Sequence, residues 1–298
     1  MVHFQDFDLY HLDGLLTEEE RMTRDMVRRW VHEQVLPYIE RWAMEGTFPI
    51  RLVRDMGELG ILGALYKEYD LPGLSPVAYG LINQEMEYGD SALRSFLSVQ
   101  SSLVMYPILR WGSREQKDRF ISGLSKGSLI GCFGLTEPDF GSNPAEMRTR
   151  AVRSGTRWIL NGEKCWITNG SVADVAVVWA RTVDGIRGFL VERGAPGFTT
   201  VEHKGKYSLR ASVTSQLIFD DCSIPGDAIL PETKGLKNAL KCLNQARYSI
   251  AWGALGSAMA TFTAALNYGK ERIQFKGRPI ASHQLVQEKL VWMYIHLA

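Results

Sequence analysis

The spacing of hydrophobic residues in this 298-residue chain changes its period twice, which divides the chain into three parts. The order of these parts limits the folds that the chain can adopt. Apolar residues recur at helical spacing in the first part, short β-branched and aromatic runs follow, and the last part is helical again. We therefore predict an α+β fold with an N-terminal α-helical domain (1–128), a central β domain (129–234) and a C-terminal helical domain (235–298). The order differs from the alternation that builds a Rossmann sheet, and the sequence contains neither G-x-G-x-x-G nor a Walker loop.

Two capping boxes predict where helices begin. Thr17 with Glu20, and Ser113 with Gln116, place a hydroxyl at the N-cap and a Glu or Gln three residues later. We expect a helix after each box. We also expect residues 76–106 to be largely helical, because they contain few helix breakers.

Two-residue turn signals predict hairpins in the middle part. Asn161-Gly162 precedes a β-branched and aromatic run, and Asp184-Gly185 separates two further strand-like runs. Both dipeptides favour the tight turns that join antiparallel strands, so we predict a β-hairpin at each. In the last part, Gly253 and Gly256 are expected to permit close helix contacts.

The charge balance and the cysteines limit the kinds of partner and compartment. The chain has 34 Lys and Arg against 33 Asp and Glu, so no overall field draws it to nucleic acid or to an anionic membrane. No apolar run is long enough to predict a membrane span, and the start resembles no transit peptide, so we expect a soluble cytoplasmic protein, or a matrix protein if it is a processed mitochondrial form.

No cysteine has metal-ligand spacing, so we predict reduced, core-filling thiols and no metal site. The four are Cys132, Cys165, Cys222 and Cys242.

A glycine-rich loop at the start of the β domain carries the strongest local signal for a ligand. The run is Gly131-Cys132-Phe133-Gly134-Leu135-Thr136-Glu137-Pro138-Asp139-Phe140-Gly141-Ser142-Asn143. Its glycines let the backbone approach a ligand closely, and Thr136 and Ser142 offer hydroxyl groups suited to flavin edges and pyrophosphate oxygens. Composition alone leaves a second interpretation open, namely a turn between two domains.

This loop resembles the flavin-binding signature of the acyl-CoA dehydrogenases, with Asn143 where the family usually has Asp. The run 166–169 resembles the family strand that carries a Trp beside the isoalloxazine and a Thr near flavin N5. The run 272–275, with His283-Gln284, resembles the stretch that contacts the FAD of a neighbouring subunit. The resemblance implies FAD as cofactor and a fold with a central β-barrel domain between helical domains. It assigns FAD binding to Phe133, Leu135, Thr136, Gly141, Ser142, Trp166, Thr168, Asn169, Arg272, Phe275 and Gln284.

A polar stripe points to the chemistry of the substrate. If the chain is helical from Glu87 onward, one face carries Glu87, Ser91, Ser95, Ser98 and Ser102, with Arg94 beside them. The surrounding residues are apolar, so we expect Arg94 to be partly buried and to need an anion. That anion is either Glu87, in an internal pair, or a carboxylate at the far end of a substrate.

The run 94–107 resembles the glutaryl-CoA dehydrogenases, a branch of the same family, and the run 243–253 continues the likeness. The resemblance implies α,β-dehydrogenation and decarboxylation of glutaryl-CoA to crotonyl-CoA, with electrons passed to electron-transferring flavoprotein, and it implies a homotetramer. It assigns substrate binding to Glu87, Arg94, Ser95, Ser98, Ser142, Leu243, Asn244, Arg247 and Tyr248. The alternatives are a short-chain acyl-CoA dehydrogenase for an uncharged substrate, or a non-catalytic protein that binds flavin or acyl-CoA.

The catalytic base that the family uses has no counterpart in this sequence. That base is a Glu in a Tyr-Glu-Gly-Thr-like motif within the last helices, and the 298 residues contain no such motif. We therefore assign no catalytic residue. We expect the 298 residues to be a C-terminally truncated form that does not oxidise glutaryl-CoA by itself.

Overall fold

The structure is a computed structural model and describes residues 8–297. Its first part is helical as predicted, and both predicted capping boxes are present. The backbone N–H of Glu20 donates to Thr17 Oγ1 at 3.3 Å, and that of Gln116 donates to Ser113 Oγ at 3.2 Å. The α-helices are α1 (Glu18–Gln34), α2 (Ile39–Glu45), α3 (Leu52–Glu58), α4 (Pro76–Gly89), α5 (Ser91–Ser98), α6 (Tyr106–Trp111) and α7 (Arg114–Ser125).

The predicted helical stretch 76–106 is interrupted twice. Asp90 has an extended backbone and caps α5, because its carboxylate accepts the backbone N–H of Ala92 at 2.7 Å. Glu87 therefore lies on α4, whereas Ser91 and Arg94 lie on α5. Beyond α5 the backbone continues as a π-helical segment, Val99–Met105. The π-helix is rare, occurs mostly as single turns inside α-helices and is frequent at functional sites.

The middle part is one branched sheet. Its strands are β1 (Gly131–Gly134), β2 (Arg150–Ser154), β3 (Arg157–Thr168), β4 (Val175–Thr182), β5 (Gly185–Glu192), β6 (Phe198–Glu202) and β7 (Thr214–Pro225). Hydrogen-bonded neighbours in the sheet follow the order β1-β4-β2-β3-β7-β6, and β5 pairs with β4 beside this row. Among the described strands of this sheet β1, β5 and β6 each have one partner strand, and the domain is a half-barrel within the predicted α+β architecture.

One of the two predicted hairpins is wrong. Asn161 and Gly162 lie inside β3, which continues to Thr168 while its pairing with β7 shifts register between Leu160 and Gly162. The left-handed φ of +137° at Gly162 makes a β-bulge there, and a Cβ would lie 2.6 Å from Thr149 Cα. The hairpin at Asp184-Gly185 is confirmed, because β4 and β5 pair from Thr182 and Gly185 onward.

The last part consists of α8 (Leu236–Glu271), the short hairpin strands β8 (Ile273–Gln274) and β9 (Arg278–Pro279), and α9 (Gln284–Leu297). By length and composition α8 could cross a membrane, but a single helix of this kind is weak evidence for a span. It packs instead on α4 and α5, where a Cβ on Gly256 would collide with the carbonyl oxygen of Gln84 and one on Gly253 would crowd Arg94. The predicted close helix contacts are therefore confirmed.

The core continues from the helices into the sheet. One cluster joins the inner faces of α1, α4 and α5 to the sheet, and a second joins the π-helical segment, α6 and α7 to β1, β4 and α8. All four cysteines are free, as predicted, and Cys132, Cys222 and Cys242 are buried, but the prediction of a core-filling thiol is wrong for Cys165, which is only partly buried. Burial raises the pKa of the Cys132 thiol to about 12. The predicted domain boundaries, after residues 128 and 234, fall in the connections between α7 and β1 and between β7 and α8.

Candidate functional site

A cleft lies where the helical parts meet the sheet. Its volume is about 380 Å³. The π-helical segment, the loop after β1, the end of β3 and the first half of α8 form its walls. The lining residues are Val99, Leu103, Phe133, Leu135, Thr136, Gly141, Ser142, Pro144, Trp166, Ile167, Thr168, Leu240, Leu243 and Arg247.

Backbone contacts hold the two sheet-derived walls of the cleft together. The carbonyl oxygen of Thr136 accepts the backbone N–H of Cys165 at 2.8 Å. Gly134 leaves room for the buried stem of Lys164, since a Cβ at Gly134 would lie 3.2 Å from Lys164 Cγ. The loop after β1 is therefore anchored to β3 before it turns into the cleft.

A fully buried ion pair lies directly behind this loop. Lys164 Nζ lies 2.8 Å from Glu137 Oε1 and donates to the carbonyl oxygen of Leu135 at 3.1 Å. Burial lowers the pKa of Lys164 to about 8, against the opposing effect of the Glu137 carboxylate. Burial alone would raise the pKa of Glu137, but Lys164 and hydrogen bonds from Thr149 and Arg148 hold that pKa below its usual value.

Trp166 has an unusual backbone conformation at the edge of the cleft. Its φ is +61°, in a region that L-residues avoid, and it lies where the pairing of β3 with β7 shifts register. The indole is 63% exposed, and its ring lies 4.8 Å from that of His203. Strain of this kind is typical of ligand-binding positions.

The cleft fits a flavin nucleotide. Trp166 offers an exposed aromatic face, Thr136, Ser142 and Thr168 offer hydroxyl groups, and Gly141 leaves the loop backbone open, since a Cβ there would meet nothing within 4 Å. A flat ring system with a pyrophosphate needs an aromatic wall, hydrogen-bonding groups and an accessible backbone. Within the described part of the chain no Asp or Glu lines the cleft.

The polar cluster on α4 and α5 is an internally paired site. Arg94 Nε contacts Glu87 Oε2, and Ser91 Oγ contacts Glu87 Oε1. The side chains of Arg94 and Glu87 are 13% and 8% exposed, respectively, so the predicted burial of the arginine is confirmed. Gly253 of α8 covers the pair, because a Cβ there would lie 2.9 Å from Glu87 Oε2 and 3.1 Å from Arg94 Nε.

Two serine hydroxyls join neighbouring helices, Ser98 joining α5 to α8 and Ser102 joining the π-helical segment to α4. Ser98 Oγ lies 2.7 Å from Ser249 Oγ, and both serines are buried. Ser102 Oγ lies 3.3 Å from the hydroxyl of Tyr79. Ser95 lies half-buried on α5.

The structure brings nine of the predicted site residues into the cleft. They are Phe133, Leu135, Thr136, Gly141, Ser142, Trp166 and Thr168 from the predicted cofactor set, with Ser142 also in the substrate set, and Leu243 and Arg247 from the substrate set. Glu87, Arg94, Ser95 and Ser98 lie outside the lining, as do Asn244 and Tyr248. Asn244 accepts a hydrogen bond from Arg247, and the Tyr248 hydroxyl donates to the carbonyl oxygen of Pro76 at 2.6 Å.

Four residues predicted to bind the cofactor also lie outside the lining. Asn169 is buried, and its side-chain amide donates to the carbonyl oxygen of Gly131 at 3.2 Å. Phe275 is 80% exposed at the tip of the β8–β9 hairpin, Arg272 ends α8 and Gln284 begins α9. The predicted contact of these last three with a neighbouring subunit's FAD stays a prediction.

Sequence reasoning did not identify Val99, Leu103, Pro144, Ile167 and Leu240 as cleft residues, nor the Lys164–Glu137 pair behind them. The apolar residues carry no signal that separates a cleft wall from a core. From the sequence, a lysine in a half-buried strand is expected to face solvent. Only the register of β3 in the structure shows that Lys164 points inward.

Comparison with known proteins identifies the family. The N-terminal, middle and C-terminal domain models of the acyl-CoA dehydrogenases match residues 17–128, 132–222 and 233–298. A glutaryl-CoA dehydrogenase from Mycobacterium smegmatis in complex with FADH2 is 50% identical with a TM-score of 0.95, over 97% of this chain and 75% of that chain. An acyl-CoA dehydrogenase of Bacillus subtilis is 38% identical, over 93% of this chain and 75% of the relative. The human mitochondrial short-chain specific acyl-CoA dehydrogenase is 37% identical, over 95% of this chain and 70% of the relative. This chain therefore belongs to the acyl-CoA dehydrogenase family.

Proposed function

We propose that this chain carries the FAD-binding and substrate-binding parts of an enzyme that oxidises and decarboxylates glutaryl-CoA to crotonyl-CoA. Membership of the family assigns the chain to the flavin-dependent oxidoreductases, and the expected cofactor, FAD, is confirmed by that membership and by the FADH2 complex of the relative. The glutaryl substrate is the finer part of the proposal.

The observation that carries the substrate proposal is the buried arginine in the middle of α5, Arg94. A guanidinium with little solvent access needs an anion, and Glu87 supplies one within the chain. Gly253, which covers this pair, lies six residues beyond Arg247 on α8, roughly 9 Å along the helix axis at 1.5 Å per residue. This spacing supports a position for Arg94 about one short acyl chain beyond the cleft, where it would exchange its internal partner for a substrate carboxylate.

Each wall of the cleft has a distinct role in this proposal. When bound, FAD supplies the acceptor for the substrate hydride. Trp166 and Thr168 orient the flavin ring, and Thr136 and Ser142 donate hydrogen bonds to the nucleotide. The apolar side chains Val99, Leu103 and Leu243 exclude water from the acyl chain, which strengthens every polar contact inside the cleft.

A short-chain acyl-CoA dehydrogenase for an uncharged substrate is the second candidate. It is favoured by the pairing of Arg94 with Glu87, because that pairing leaves the end of the site without net charge. The human short-chain relative, at 37% identity, also supports it. The two candidates differ in what happens when the arginine is removed.

Ligand binding to the FAD-loaded chain tests the proposal. We expect Arg94→Gln to weaken glutaryl-CoA binding roughly 10- to 100-fold, because a hydrogen bond to a charged group contributes about 1.5–3 kcal/mol. Binding of butyryl-CoA should change less than about threefold, since it has no carboxylate. Titration calorimetry with both ligands measures the difference. Equal losses for the two ligands would assign Arg94 a structural role and favour the short-chain candidate.

Glu87→Gln is the matched control, because it removes the internal partner and leaves the arginine in place. We expect this variant to bind glutaryl-CoA at least as tightly as the wild type, since the substrate carboxylate no longer competes with Glu87. Weaker binding of glutaryl-CoA would show that Glu87 holds Arg94 in its productive position.

The remaining partners are also part of the proposal. We propose electron-transferring flavoprotein as the electron acceptor, a homotetramer as the assembly and the cytoplasm as the location. The exposed Phe275 on the β8–β9 hairpin supports a contact between subunits.

A further inference from the structure

We infer that the buried ion pair Lys164–Glu137 is the positioning element of the FAD cleft: it fixes the loop after β1 and the end of β3 relative to each other. This inference rests on FAD binding at the proposed site. It concerns two residues that face away from the cleft and would act through the side chains they anchor.

The lysine is the first half of the argument. Lys164 is fully buried, and its ammonium donates to Glu137 and to the carbonyl oxygen of Leu135, with Met147 Sδ at 3.9 Å. It therefore touches the loop both where it leaves β1 and where it returns toward β2. A lysine with no solvent access keeps its charge only where such partners are fixed in place.

The glutamate closes the same loop from the other side. Glu137 Oε2 accepts the backbone N–H of Arg148 at 2.6 Å, and Glu137 Oε1 accepts that of Thr149 at 2.9 Å as well as the ammonium of Lys164. Its backbone also pairs with that of Phe140 in both directions. The Glu137 carboxylate thus holds together the two ends of the loop between β1 and β2. The middle of this loop contains Gly141 and Ser142, which line the cleft.

The pair also connects the two flavin-facing walls. Glu137 directly follows Thr136, and Lys164 comes two residues before Trp166, where the left-handed backbone turns the indole into the cleft. The register of β3 against β7 shifts between Lys164 and Ile167, so the strand alone does not fix the direction of this segment. The lysine is the last buried anchor before the shift.

An apolar pair could fill the same space, but it could not bond the backbone groups of Leu135, Arg148 and Thr149. Replacing a buried ion pair by hydrophobic residues is often neutral or stabilising, whereas removing one partner is strongly destabilising. An ionic pair at this place therefore points to a requirement for geometry rather than for stability. Its directional contacts with Leu135, Arg148 and Thr149 supply that geometry.

A double-mutant cycle separates geometry from stability. Glu137→Gln and Lys164→Met are each expected to unfold at lower urea concentration than the wild type, because each leaves one buried charge unpaired. The double variant should regain part of that stability, because no buried charge is left unpaired, and should still bind FAD about tenfold more weakly, measured by quenching of flavin fluorescence. A double variant that binds FAD like the wild type would overturn the inference, and so would single variants with unchanged FAD affinity.

Glu137→Asp tests the same inference without removing a charge. The shorter side chain cannot reach Arg148 N, Thr149 N and Lys164 Nζ together, so we expect FAD affinity to fall at least about threefold and the visible flavin spectrum to shift. Wild-type affinity and spectrum in this variant would contradict a positioning role.

The matched control is the exposed ion pair of the same loop. Asp139 and Arg148 contact each other at 3.0 Å, and both side chains are largely exposed, so Asp139→Asn should leave FAD affinity within about twofold. A loss as large as that of the double variant would overturn the assignment to the buried pair. Failure of the wild type to bind FAD would instead refute the proposed function, so the two failures are distinguishable.

Discussion

Arg94 shows how far single residues can be interpreted from the sequence. Its apolar neighbours predict burial and a need for an anion, and the structure confirms both. The sequence offers Glu87 and a substrate carboxylate as equal candidates for that anion. The structure pairs the arginine with Glu87 across the break at Asp90, and the substrate role stays a proposal.

Gly253 is the residue that allows this pair to be covered. We expect Gly253→Ala to lower the free energy of unfolding by roughly 1 kcal/mol. Crowding of Glu87 and Arg94 costs about 1–3 kcal/mol, and the better helix propensity of Ala offsets up to about 1 kcal/mol of it. Urea unfolding followed by circular dichroism measures the change.

Gly269 on the same helix provides the control. A Cβ there meets Ala281 Cβ at an ordinary 3.5 Å, so Gly269→Ala should be neutral or stabilising. If both variants gain stability equally, Gly253 does not pack against the ion pair in solution.

At the scale of elements, β3 illustrates why local turn chemistry can mislead. Asn161-Gly162 has the composition of a hairpin turn, yet β3 continues through it because β7 pairs with it on both sides of Gly162, whereas β2 pairs with it only as far as Asn161. The left-handed φ of Gly162 serves a bulge instead, and its missing side chain admits the backbone of Thr149. Tertiary pairing therefore decides between a turn and a bulge.

The π-helical segment depends on one buried side chain. Gln100 donates to the carbonyl oxygens of Leu124 and Leu129 at 2.9 and 2.8 Å, and it accepts the backbone N–H of Gly131 at 2.9 Å. It thereby joins the segment that lines the cleft to the end of α7 and the start of β1.

We expect Gln100→Leu to lower the free energy of unfolding by at least about 2 kcal/mol, because three buried backbone groups lose their partner. Chemical denaturation with two probes, tryptophan fluorescence and circular dichroism, measures the loss. Gln287→Leu is the control, since that amide makes one exposed hydrogen bond to Ala281, and its effect should stay within about 0.5 kcal/mol. Similar losses in the two variants would refute the special role of Gln100.

At the scale of the whole molecule, the cleft exists only where three parts of the chain meet. The π-helical segment, the half-barrel and α8 each contribute one wall, and none forms a cleft alone. The described lining contains no carboxylate that could remove a proton from a bound thioester. Glu87 is held by Arg94 and Ser91 outside this lining.

We therefore expect the 298-residue chain, loaded with FAD, to show no glutaryl-CoA-dependent dye reduction. A hybrid that adds the part of the Mycobacterium smegmatis relative that this chain does not cover, about a quarter of that relative, should turn over. Bound flavin absorbance in both proteins serves as the loading control. Turnover by the 298 residues alone would contradict the expectation and would make Glu87 the first candidate for the base.

The sequence by itself determined the order of the α, β and α blocks, the two capped helices and the family. These features rest on local periodicity, on capping chemistry within four residues and on a contiguous loop motif. It also identified most of the cleft residues that come from the β domain, because they lie in two short runs around Thr136 and Thr168. The tertiary structure alone decided the partner of Arg94, the bulge at Gly162 and the burial of Lys164. Each of these depends on contacts between segments far apart in the chain, and the free energy of such contacts is absent from any local pattern.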